Sequence, residues 1–181
     1  AVSQGLTVNA DAAVSSRFKL NAGVTLLDVY RVDHRISEGR IPQIQAPKFS
    51  GTFAITYTIE PFRLSFDITG KVNGPMYLPV VPNDFRPAQS PWFGLVNLQV
   101  TKAFGDHWEV YGGVKNLLNF LPANPLLHPD DPFDKKGGPY FNLDGTPRAD
   151  TNPYGYTFDT AYSYAPMQGI KGFLGVRFTM R

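Results

Sequence analysis

The sequence predicts an all-β protein, an antiparallel up-and-down barrel whose strands cross a membrane. Three observations predict it. Polar and apolar residues alternate with period two over long stretches, as in FAITYTI (53–59) and FRLSFDITGKV (62–72), and that period belongs to strands. The connections between such stretches are short and long by turns. Aromatic residues gather beside the short ones. A chain of 181 residues suffices for one domain, and the reading takes 1–181 as a segment of a single barrel domain.

Composition narrows the field. There is no cysteine, so neither a disulfide framework nor a thiol site is available. The formal charge of +2 and the lack of a basic cluster argue against a nucleic-acid partner. No apolar run approaches the roughly 18 to 20 residues of a membrane helix, but barrel strands leave a weak hydropathy signal. The opening AVSQGLTVNADAAV lacks the basic and apolar regions of a signal peptide, so the expectation is that one was removed or that the N-terminus lies upstream. None of the 16 prolines precedes Pro42, and seven fall between Pro122 and Pro153. Proline cannot donate to a ladder, which marks the proline-rich stretches as loops.

Seven strands are expected. The first, about Leu6–Val14, sets Leu6, Val8, Ala10, Ala12 and Val14 against Thr7, Asn9, Asp11, Ala13 and Ser15. A tight turn at Ser15–Phe18 leads to the second, about Lys19–Val32. After the polar loop DHRISEGRIPQIQ come FAITYTI and FRLSFDITGKV, joined at Glu60–Pro61. In the latter, Phe62, Leu64, Phe66, Ile68 and Val72 oppose Arg63, Ser65, Asp67, Thr69 and Lys71. The proline-rich NGPMYLPVVPNDFRPAQSP precedes the fifth strand, about Trp92–Phe104. Gly105–His107 turns into the sixth, about Trp108–Leu118. A loop of about 45 residues, 120–164, precedes the last, about Ile170–Arg181.

Short turns at one end and long loops at the other are the asymmetry of outer-membrane barrels. Phe18, Tyr57, Phe62, Phe104, Trp108 and Phe178 lie beside the short turns, as an interfacial girdle would. Phe53, Ile55, Leu64, Phe66, Leu98 and Val176 should therefore face lipid. The alternative is a small self-contained β-barrel, a binding protein or structural pore with its aromatics inside. Odd parity favours the larger assembly, because single-chain bacterial barrels have even strand numbers and an open edge in lipid strands its backbone groups. The expectation is the C-terminal part of a larger barrel.

Particular residues resemble a known family. GFLGVRFTM (Gly172–Met180) resembles the closing strand of TonB-dependent outer-membrane receptors, an aliphatic-Gly-aliphatic-Arg-aromatic-x-aromatic pattern, with Met180 in the final aromatic position. WEVYGGVKNLLN (Trp108–Asn119) is similar to their penultimate strand, and the order of residues across Trp92–Leu117 matches as well. The resemblance implies a bacterial outer-membrane location and a 22-stranded barrel around a plug. It implies active import of a scarce ligand, such as a ferric siderophore. The implied partners are outer-membrane lipid, the plug and remaining strands of the same receptor, the TonB complex reached through an N-terminal part, and the ligand. The plug is expected upstream of residue 1.

On this reading the polar faces line a lumen. Arg63, Asp67, Lys71, Asn97, Gln99, Glu109, Lys115 and Arg177 are the candidate lumen or plug-facing residues, with Asn9, Asp11, Asn21 and Lys171 beside them. Loop 120–164 is expected to be extracellular. It is rich in proline and aromatic residues, so an ordered loop is expected, with His128, Tyr140, Phe141, Tyr154 and Tyr156 as ligand-binding candidates suited to flat or chelating molecules. Asn142, Asp144 and Gly145 resemble part of a calcium loop, but the remaining oxygen ligands and closing Glu are missing. No metal site, cofactor or catalytic constellation is called for, and the expected role is not enzymatic.

Overall fold

Long alternating stretches become long paired strands. The computed structural model of the protein describes residues 1–33, 39–79, 87–123, 125, 138, 140–155 and 163–180. The strands are β1 (Val2–Ala13), β2 (Phe18–Val32), β3 (Arg40–Pro42), β4 (Phe49–Ile59), β5 (Leu64–Asn73), β6 (Phe93–Phe104), β7 (Trp108–Lys115) and β8 (Lys171–Phe178). One antiparallel sheet joins them in the order β1-β2-β4-β5-β6-β7-β8, with β3 paired to β2 alone. The sheet does not close: β1 and β8 are its two edges.

Two connections depart from the sequence reading, and several strand ends shift: β1 starts at Val2, β4 at Phe49, and β7 stops at Lys115. The loop between β2 and β4 contains β3, which continues the β2 ladder through Tyr30↔Pro42 and Val32↔Arg40. Arg40 also stacks 4.3 Å from the centre of the Tyr30 ring. The β4–β5 connection is a 3-10 turn over Glu60–Phe62 that ends at Arg63 in the left-handed conformation, φ 46°. Proline at the start of that turn fixes its φ, so Phe62 and Arg63 leave the strand in which the alternation had placed them.

Register defines two faces. Lys19, Thr56, Asp67 and Gln99 align across β2, β4, β5 and β6, and the next row is Leu20, Ile55, Ile68, Leu98 and Val114. Phe53, Ile55, Leu64, Phe66, Leu98 and Val176 share the apolar face. Glycines let rings lie flat on it and on its opposite: a Cβ at Gly70 would stand 2.4 Å from the Phe53 ring, and one at Gly175 would stand 2.4 Å from Tyr111. At the tight-turn end Phe104, Trp108 and Phe178 align, with the Trp108 and Phe178 rings 4.7 Å apart.

The chain forms two compact units. The first is Ala1–Tyr77, Gln89–Leu121 and Gln168–Arg181, and the second Leu78–Ala88 and Pro122–Met167. The first holds the sheet and a small core near the long-loop end, where Met76 and Phe93 are buried and Phe93 stacks on Phe120 at 5.1 Å. The second contains buried Leu78 and Phe141 and a hairpin bridging Phe141 to Pro147.

Candidate functional site

The polar face brings four of the expected lumen residues to one place. Asp67, Asn97, Gln99 and Lys115, with Thr69 and Phe173, line a depression of about 220 Å³. Side-chain hydrogen bonds within and between strands fix its walls. The Asp67 carboxylate accepts from Thr56 Oγ1 at 2.7 Å. Asn97 donates to Thr69 Oγ1 at 3.3 Å and Gln99 to Thr101 Oγ1 at 3.1 Å. The Lys115 ammonium lies 5.7 Å from the centre of the Phe173 ring, a cation–π arrangement. One carboxylate, one ammonium and two amides thus converge, a set suited to a polar or zwitterionic partner.

The other lumen candidates lie apart. Glu109 and Arg177 pair at 2.9 Å near the tight-turn end, and Arg177 also approaches the Tyr111 ring at 5.8 Å. Lys71 is exposed, between Thr52 and Leu95 in register. Arg63, in its turn, donates to the Gly105 carbonyl at 2.6 Å and meets Asp106 at 3.2 Å. It ties one tight turn to the next rather than standing on the wall. A second polar hollow includes Asp11, Lys19, Asn21 and Thr56, and Asn21 donates to Asp11.

Sequence reasoning quoted Asn116 within a motif and gave it no role. It sits with φ 52° at 7% exposure. Its amide donates to the carbonyls of Phe120 at 2.8 Å and Gln168 at 3.1 Å, and its Oδ1 accepts from Phe120 N–H at 2.9 Å. Asn97 Oδ1 accepts from its backbone N–H at 3.1 Å. Asn119, φ 51°, accepts from Ile170 N–H at 3.0 Å. Asn tolerates the left-handed region, so two Asn residues three apart at a strand end were the available signal. Together they fasten the end of β7 to the start of β8.

In the second unit the hairpin turns at Asn142–Thr146. Gly145, φ 79°, supplies the left-handed position. Asp144 accepts from Thr146 Oγ1 at 2.6 Å and from its N–H at 2.9 Å, and these bonds hold its carboxyl below the ordinary carboxylate range. The calcium-like residues therefore make a turn closed by its own hydrogen bonds, and the described residues contain no metal-holding cluster. Of the ligand candidates, Tyr140 is 52% exposed and Tyr154 80%. Phe141 is 2% exposed, which corrects the expectation that its ring is open to a ligand: it packs the hairpin. His128 and Tyr156 lie outside the described residues.

Comparison with known proteins places this geometry. No protein-family model and no curated protein matches the chain. Solved structures do. The ferric-catecholate import receptor Fiu from E. coli K12 superposes with a TM-score of 0.60 at 10% identity, over 98% of this chain and 21% of that one. The FrpB iron transporter from Neisseria meningitidis gives 0.55 at 12% identity, over 97% and 23%. The copper transporter OprC gives 0.53 at 15% identity, over 97% and 22%. The chain has the fold of a TonB-dependent receptor barrel. It spans about a fifth of the length of these structures, 21–23%. As a piece of such a barrel, the seven long strands are a stretch of wall with one polar and one apolar face, and its open edges are β1 and β8.

Proposed function

We propose that this chain is the C-terminal barrel portion of an outer-membrane TonB-dependent receptor, and that the receptor binds and imports a scarce ligand. The observation that carries the reading is the fold: 97–98% of the chain follows receptor barrels, in a sheet with two open edges that a self-contained barrel would not have. On this reading lipid covers the apolar face, further strands continue the sheet, and a plug fills the lumen and engages TonB through an N-terminal part. Residues 120–164 form an extracellular loop of the single barrel domain.

The ligand is a metal chelate such as a ferric siderophore. Two of the similar structures are named for iron and one for copper. Tyr140 and Tyr154 offer exposed amphipathic rings to a chelate, with His128 and Tyr156 in the same loop, while Phe141 supports their hairpin. Asp67, Lys71, Asn97, Gln99, Glu109, Lys115 and Arg177 face the plug or the passing ligand, and Arg63 braces the turns beneath them. The protein transports and does not catalyse.

The test is uptake of a radiolabelled ferric chelate panel by iron-starved cells expressing the receptor. The expected result is saturable uptake in the outer-membrane fraction's host that disappears with loss of TonB, and is weakened by replacing Tyr140 and Tyr154 with Ala. Uptake that persists without TonB, or a protein found outside the membrane fraction, overturns the reading.

A further inference from the structure

Over β4 to β8 the apolar face carries one charge where hydrocarbon should meet none. Across β4 to β8, register places Ile55, Leu64, Phe66, Val100, Val110 and Val176 on that face. Lys102 stands among them, aligned with Leu64 and Val110. It is the sole charged residue on this face over those five strands. A lysine in hydrocarbon costs free energy that falls towards the interface, so its depth matters. Lys102 lies near the end of β6, two residues before its last residue Phe104, at the end of the sheet that carries the exposed rings of Phe62, Phe104 and Trp108.

Its head is aimed out of the apolar band. The Lys102 ammonium donates to the carbonyl of Phe62 in the neighbouring turn and lies 5.6 Å from the centre of the Phe104 ring. The residue as a whole is half-buried on the sheet. This is a snorkelling lysine, with an apolar stem and a head at the water boundary. Among the described residues no carboxylate pairs with it, and Asp106, in the turn after β6, pairs with Arg63. One carbonyl leaves two of its three N–H donors available.

We propose that Lys102, seated in the aromatic girdle, binds the phosphate of an anionic phospholipid in the leaflet at the tight-turn end. The ammonium supplies charge-assisted donors. The rings of Phe62, Phe104 and Trp108 hold the glycerol and upper acyl region at the level of the headgroup. An acidic residue at this position would repel the same lipid. The proposal rests on the membrane-barrel reading above.

The test uses the whole receptor, delipidated in a zwitterionic detergent, with phosphatidylglycerol and phosphatidylcholine added in equal amounts and counted by native mass spectrometry. One lysine against an anionic surface is worth about fivefold in affinity. The expected result is that K102Q lowers the preference for phosphatidylglycerol by about that factor, while K102R keeps it and raised ionic strength reduces it in the wild type. An unchanged preference in K102Q overturns the proposal. If no lipid of either kind binds and the receptor stays in water without detergent, the membrane reading itself has failed and the proposal falls with it.

Discussion

Neighbouring residues on β5 offer the sharpest test of which face meets lipid. Ile68 and Thr69 are adjacent, so they lie at nearly the same depth on opposite faces. Ile68 is aligned with Ile55 and Leu98, and Thr69 with Ala54 and Asn97. Ile68 is four residues beyond Leu64, the first residue of β5. At about 3.4 Å per residue and a tilt of about 40°, that is about 10 Å of height above the turn. An apolar band about 25 Å tall has its midplane about 12 Å up, so Ile68 sits close to it. Ile68→Arg should cost about 2–4 kcal/mol. Phe66→Arg, at about 5 Å, should cost less, about 1–2 kcal/mol. Thr69→Arg enters the polar depression and should stay within about 1 kcal/mol, and Asp67→Asn, which keeps an acceptor for Thr56, within about 0.5 kcal/mol. The assay is urea-dependent folding of the whole receptor into lipid vesicles. A cost for Thr69→Arg equal to or above that for Ile68→Arg would refute the assignment of faces.

Three further outcomes follow from the same coordinates. Asn116→Ala removes donors from the Phe120 and Gln168 carbonyls and should cost about 2–4 kcal/mol; Asn116→Gly, which relieves φ 52°, should be milder by about 1 kcal/mol in the same folding assay. Gly70→Ala drives a methyl to within 2.4 Å of the Phe53 ring and should cost about 1–3 kcal/mol, with more than half recovered in the double variant Gly70→Ala/Phe53→Leu. The Asp144 carboxyl is held low, first by the Thr146 hydroxyl and then by the Thr146 N–H. Its support of the turn is therefore present above the ordinary carboxylate range and lost as pH falls through the lowered value, so Thr146→Val should move its NMR titration upward.

Strands were legible because period two is a local property. Their ends were not. β1 runs back to Val2 although the alternation is visible only from Leu6, because Gln4 and Asp28 face each other on the apolar side at that end and break the pattern. Phe62 fitted the apolar parity of its stretch, yet Pro61 at the start of a 3-10 turn outweighed it. β3 has three residues ending in proline, too few to show a period. The candidate site shows the same division. That Asp67, Asn97, Gln99 and Lys115 share a face is written in the alternation, but their convergence depends on stagger between strands that a single stretch does not contain. Asn116 was visible as a motif, while its task depends on Gln168, some fifty residues away in the chain (|i−j| = 52).

The burial pattern decides what the apolar face requires. The buried hydrophobic residues described are Met76, Leu78, Phe93 and Phe141; Phe93 pairs with Asn73 on the polar side, and the others lie outside the strands. The sheet's greasy face is therefore not its core. Leu174 there is 81% exposed, and Leu6, Val8, Val24 and Val176 are exposed as well. A patch of this extent needs a cover. A second sheet could provide one, as in a sandwich, but its inner face would meet the ring of Phe104, Trp108 and Phe178 at one end and the charge of Lys102 beside it. Lipid meets both without conflict, since girdle aromatics and a snorkelling lysine belong at the headgroup boundary. The polar face, with Asp67, Lys115 and the Glu109–Arg177 pair, suits a hydrated lumen and no packed core. The inside-out arrangement thus satisfies both faces of the sheet at once, and it is the physical reason that the fold of a receptor barrel fits this sequence despite identities of only 10–15%.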